Sequence, residues 1–126
     1  MSKPVYYLAS PYTHKDKSVQ KERAAAVTKA AVDLLKREVF VFAPISYNAP
    51  WEQFDLPGDW QFWEKFDKAF VDKMDGVIVF QIPGWKESVG VTAEIEYAKS
   101  IGKPVYYLTE EQIADYDYDL SELVGE

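Results

Sequence analysis

Two acidic side chains carry the chemistry this sequence offers. Glu94 stands in Pro83-Gly84-Trp85-Lys86-Glu87-Ser88-Val89-Gly90-Val91-Thr92-Ala93-Glu94-Ile95, where an apolar strand, a Gly-containing loop and a helix follow one another. Asp67 stands on an earlier amphipathic stretch, eight residues before Asp75. A pair of carboxylates converging from adjacent helices is the equipment of glycosyl chemistry, in which one group attacks and the other manages protons. Each has a plainer use as well. A first-turn Glu is favoured by the helix dipole, and Asp67 could pair with Lys65 or Lys68 at the surface. The neighbours of Glu94 tilt the choice, because it shares a helical face with Val91, Ala98 and Ile101 rather than with Glu96 and Lys99.

Around this pair stand groups suited to an anion and a ring. Ser88 and Gly90 precede the helix, where backbone N–H groups lack intrahelical partners. Ser10 and Tyr12 follow the first strand, in a turn or a binding loop. Arg23 either reaches an anion from the first helix or lies on that helix's surface. His14 reads as a loop residue, and Trp51, Trp60, Trp63 and Trp85 divide between core and pocket wall.

The elements that must position these residues follow from periodicity. Lys3 to Ala9 and Glu38 to Ala43 read as strands, and Gly76 to Phe80 as a third, apolar throughout as in a sheet buried on both faces. Lys103 to Leu108 is the fourth. Helices are expected from Ser18 to Arg37 (apolar at Ala24, Val27, Ala31, Leu34 and Leu35), from Trp60 to Lys73, and from Val89 to Ser100, with Gly102 as the C′ stop. Pro44 to Asp59, with Pro44, Pro50 and Pro57, reads as a long loop and functional flap. A short helix is expected around Glu110 to Ala114, and Tyr116 to Asp119 reads as a fifth, edge strand or a docking segment.

Alternating strands and helices call for an α/β fold, a three-layer sandwich around a mainly parallel sheet. The flavodoxin-like order 2-1-3-4 puts the switch point between the first and third strands. Ser10 to His14 and Pro83 to Gly90 sit at the carboxyl ends of those two strands, so both loops should open on one crevice.

Composition bounds the function. The 126 residues make one domain, spanning 1–126. No Cys is present and His14 is the single histidine, which excludes Cys-based metal centres and disfavours a multi-histidine one; neither metal nor cofactor is expected. Dinucleotide and Walker-type loops are missing. A formal charge of −7 with only Arg23 and Arg37 as arginines argues against a nucleic-acid polymer. Apolar segments too short for a bilayer, with no leader pattern, point away from a membrane and to the cytoplasm.

On these residues the chain resembles the nucleoside 2-deoxyribosyltransferase superfamily, over about Val5 to Leu108. It is most similar to a small branch that opens Leu8-Ala9-Ser10-Pro11-Tyr12-Thr13-His14 and carries Pro83-Gly84-Trp85, Ser88, Gly90-Val91 and Glu94-Ile95. The resemblance implies that Glu94 is the nucleophile and Asp67 the second active-site acid. It places Ser88 at the substrate position six before the nucleophile, where transferases of free nucleosides carry Asp. Ser there resembles the branch that hydrolyses deoxynucleoside 5′-monophosphates, since Ser donates to a phosphate that Asp would repel. The first loop departs from that branch, whose loop is Gly-rich and Arg-bearing; the cation would have to come from Arg23, Lys15 or Lys17.

The expectation is therefore a metal-free N-glycosidase or deoxyribosyltransferase acting on a nucleoside or nucleotide through a glycosyl-enzyme intermediate. Tyr12 and the flap aromatics would stack on the base. The resemblance also implies a homo-oligomer. A nucleotide-binding module without turnover is the alternative, and a structural or regulatory protein with a vestigial crevice is a third.

Overall fold

The computed structural model describes residues 3–125. Four strands form one all-parallel sheet in the order β2-β1-β3-β4: β1 (Val5–Ala9), β2 (Phe40–Phe42), β3 (Gly76–Phe80) and β4 (Val105–Leu108). Val5 pairs with Phe40, Leu8 with Ile78, and Ile78 with Tyr106 across the three ladders. This is the flavodoxin-like α/β arrangement expected, with its switch point between β1 and β3.

Side-chain alternation along the strands divides the core into two layers. Tyr6 and Leu8 of β1, with Ile78 and Phe80 of β3, face Val27, Ala30 and Leu34 of helix α1 (Lys17–Lys36). Tyr7 and Ala9, with Val77 and Val79, face the other way, onto Val71 of α3 (Trp60–Lys73) and Val91 and Ala98 of α4 (Val89–Ser100). All five residues of β3 are buried, which is why its sequence shows no polar alternation. Helix α3 ends where Lys103 Nζ donates to the carbonyls of Asp72 and Met74. Helix α4 ends at Gly102, whose φ of +76° is the left-handed stop expected there.

Three expectations are corrected. Pro44 to Asp59 is not a plain loop: Pro44–Asn48 is helix α2 and Ala49–Phe54 a 3₁₀ helix, leaving only Asp55 to Asp59 irregular. Pro44 and Pro50 lie in first turns, where a missing N–H costs nothing, so these prolines open elements rather than break them. No fifth strand exists among the described residues. Tyr116 to Asp119 follows the other of its two readings and docks on α1, with the Tyr116 hydroxyl donating to Asp33 at 2.8 Å and Arg37 donating to the Tyr118 carbonyl. Two short helices flank it, α5 (Glu110–Ala114) and α6 (Ser121–Val124), and bury Ile113 and Leu123 on the α1 side. Leu35, expected in the core, is exposed, and Ala30 takes the buried position beside Val27.

Candidate active site

The site is built on the α3/α4 side of β1. On α3, Trp60, Trp63 and Asp67 recur at helical spacing ahead of buried Val71; on α4, Gly90, Val91 and Glu94 do the same ahead of Ala98. The two helices pack against each other, so their carboxylates meet over the end of the sheet. Glu94 and Asp67 are buried, at 5% and 9% exposure. Beneath them the fully buried Tyr7 of β1 donates its hydroxyl to Glu94 Oε2 at 2.6 Å.

Burial dominates the electrostatics. It raises Glu94 well above the usual carboxylate range, and the negative charge of Asp67 pushes it further, while the Tyr7 hydroxyl opposes the shift. Asp67 is raised by burial to about 6, with Glu94 and Tyr7 partly offsetting that rise. Tyr7 itself is raised by burial and by both carboxylates, so it remains a donor. Between about pH 6 and the higher value for Glu94 the pair holds one proton. That is the state in which one carboxyl can attack while the other carries acid.

The pair lines a cavity of about 920 Å³. Of the seven residues picked out in the sequence, Glu94, Asp67, Ser10, Tyr12, Ser88 and Gly90 all line it. Ser88 caps α4 by accepting the Val91 N–H at 3.2 Å, which leaves its own hydroxyl hydrogen free to donate. The ring of Trp60 lies against Gly90.

Arg23 is the exception. It does not line this cavity; its guanidinium donates to the carbonyls of Tyr12 at 3.4 Å, Thr13 at 3.0 Å and Pro83 at 3.4 Å. It clamps the two loops together from behind. Gly84, at φ +97°, makes room for it, since a Cβ there would lie 2.3 Å from Arg23 Nη2. The other cations suggested for a phosphate divide as well: Lys17 lines the cavity, and Lys15 does not.

Among the described residues, four buried side-chain polar atoms lack a hydrogen-bond partner: Ser10 Oγ, Gln20 Nε2, Asn48 Oδ1 and Asp67 Oδ1. All four residues line this one cavity. Buried polar groups are normally paired, and here the exceptions are concentrated at one cavity. Gln20 is fixed in orientation, because its Oε1 accepts the His14 N–H at 3.2 Å and turns its amide donor inward. Tyr7, Gln20 and Asn48 were not singled out from sequence. A Tyr inside a buried strand needs a partner for its hydroxyl, and that was the available signal for Tyr7. Trp51, Trp60 and Trp63 form pocket wall, whereas Trp85 packs on Tyr107 and the core. Asp75 is structural, accepting the Val5 N–H at 2.8 Å.

Residues 3–110 match a family model described as a domain of unknown function, DUF1937. The chain belongs to that family. The match takes in all four strands and both carboxylates, so the site is part of the family's domain and not of the tail beyond it. No curated protein matches the chain. Among the described residues no helix is long and apolar enough to cross a membrane.

Proposed function

We propose that the protein cleaves or transfers the N-glycosidic bond of a (deoxy)nucleoside or nucleoside 5′-monophosphate. Glu94 attacks the anomeric carbon, the bond to the base nitrogen breaks, and the base leaves with the electron pair. Water or a second base then displaces Glu94 from the glycosyl-enzyme intermediate. The pair's proton passes to Asp67 as Glu94 attacks, and the Tyr7 hydroxyl steadies the attacking carboxylate. Tyr12, Trp51 and Trp60 supply faces for the base, and the segment Asp55 to Asp59, which also lines the cavity, would limit water.

The observation that carries this reading is the buried Glu94–Asp67 pair beside Tyr7, lining a large cavity. Burying two interacting carboxylates costs stability, which a fold retains where their reactivity is used. The resemblance to nucleoside 2-deoxyribosyltransferases points to the same two residues.

The test is incubation with a panel of deoxynucleosides and their 5′-monophosphates, followed by chromatography for free base. Release by the unmodified protein and none by Glu94→Ala is expected; release that survives Glu94→Ala refutes the mechanism. Retained ligand without release would mark a binding module, a role the four unpartnered polar atoms would also serve. We take the protein to be a cytoplasmic homo-oligomer. Exposed Phe54, Leu56 and Val89 offer a second subunit apolar surface near the mouth, and light scattering would measure the mass.

A further inference from the structure

The cavity is lopsided in charge. Besides Asp67 and Glu94 it is lined by the exposed carboxylates Glu52, Asp55, Asp59 and Glu87, against the single cation Lys17. Arg23 does not line the cavity and spends its donors on the carbonyls of Tyr12, Thr13 and Pro83. Any anion resting on the amides of Val89 and Gly90 would lie beside Glu87, two residues from the first of them. The same wall presents π faces, with Tyr12, Trp51, Trp60 and Trp63 all contributing. Aromatic faces attract cations, and most strongly when water is excluded. The buried end holds an unpartnered Asp67 Oδ1, with the orphaned Gln20 and Ser10 groups also buried and lining the cavity. Acidic mouth, aromatic wall and an unpaired buried carboxylate oxygen all favour positive charge and oppose phosphate.

We infer that the ligand is an unphosphorylated N-glycoside whose heterocycle is positively charged, such as a pyridinium or an N-alkylated purine. Its fate after binding rests on the glycosidic reading above; the charge preference does not. The chemistry suits such a ligand. When the bond between C1′ and the ring nitrogen breaks, its electron pair neutralises the ring, so the leaving group needs no proton. Glu94 forms the new C–O bond to C1′. Water later attacks that carbon, Glu94 departs as carboxylate, and the water's proton passes to Asp67 or solvent. A bound cation also favours the ionised form of Glu94.

Two matched sets test this in the full chain. The first is 7-methylguanosine, guanosine and guanosine 5′-monophosphate in slightly acidic buffer, where the methylated purine is a cation. The second is nicotinamide riboside and its uncharged dihydro form. Calorimetry on Glu94→Gln, which cannot turn over, measures binding; chromatography on the unmodified protein measures base release. The cationic members should bind at least about tenfold more tightly than the neutral ones, with the monophosphate weakest and the ratio shrinking as salt rises. The exposed pair of substitutions Glu52→Gln and Glu87→Gln should bring the ratio toward one. Equal binding of charged and neutral members, tighter binding of the monophosphate, or no binding in either set overturns the inference. Cation preference without base release leaves the inference standing and removes the glycosidic reading; base release with no charge preference does the reverse.

Discussion

Replacing Asp67 with Asn should stabilise the protein while disabling it. Asp67 is buried, and its pKa rises from 3.8 to about 6. An acid whose pKa is raised by folding binds its proton more tightly in the native state, so ionising it weighs against folding. That cost is absent below the unfolded value near 3.8, grows as pH rises, and is complete above about 6. A shift of about two units at 1.36 kcal/mol each amounts to roughly 3 kcal/mol at neutrality. The amide has the same shape and carries no charge. Asp67 Oδ1 has no partner to lose, and the amide keeps one oxygen to face Glu94 and Tyr7. For a chain of this size each kcal/mol moves Tm by about 4 °C, so Asp67→Asn should melt about 10 °C higher at about pH 8. At about pH 4 the gain should shrink to a degree or two. Thermal melts by circular dichroism at both pH values decide the matter. A gain of equal size at both would show that the effect is packing and not charge, and no gain at the higher pH would show that Asp67 is well solvated. Base release should fall in the same variant, since the pair can no longer share a proton.

Other consequences follow from the same geometry. The pH profile of kcat/KM should fall below about pH 6, where the pair takes a second proton, and should hold well above neutrality before declining; an acid limb at the ordinary Glu value of 4.5 would contradict the shared proton. Tyr7→Phe removes the 2.6 Å bond to Glu94 but keeps the packed ring, so steady-state release should drop about a hundredfold with little change in melting. Arg23→Met unclamps the two loops and should raise KM more than it lowers kcat, with about 1–2 kcal/mol lost in denaturant melts. Gly84→Ala should destabilise by about 1–3 kcal/mol through its φ and the clash with Arg23, and less so in the Arg23→Met background.

Periodicity and composition alone determined much of this protein. The bounds of α3, α4, β3 and the short helix α5 stand where the pattern put them, because each carries a clean local signal: a complete apolar strand, a helical stripe, a Gly stop. The strand order follows from alternating elements of sufficient length, since crossover handedness leaves few arrangements. Glu94 was legible from a helical face shared with apolar residues, whereas Asp67 stood out only as a second carboxylate on the preceding helix and through the resemblance.

Tertiary structure decided what depends on residues far apart in the chain. Tyr7 and Tyr6 are adjacent and alike in sequence; only the packing of α3 and α4 on one face and α1 on the other sends one hydroxyl to Glu94 and the other to the Leu123 carbonyl. Arg23 lies one helical turn beyond Gln20, yet Gln20 lines the cavity and Arg23 turns behind it, because loop carbonyls and the gap at Gly84 capture the guanidinium. Pro44 and Pro50 read locally as parts of a long loop, and the tail as either an edge strand or a docking segment; neighbours gave the prolines helix starts and decided for docking on α1. The proton shared by the two carboxylates belongs to this second class. Desolvation is a property of the surrounding volume, and no local stretch of chain specifies it.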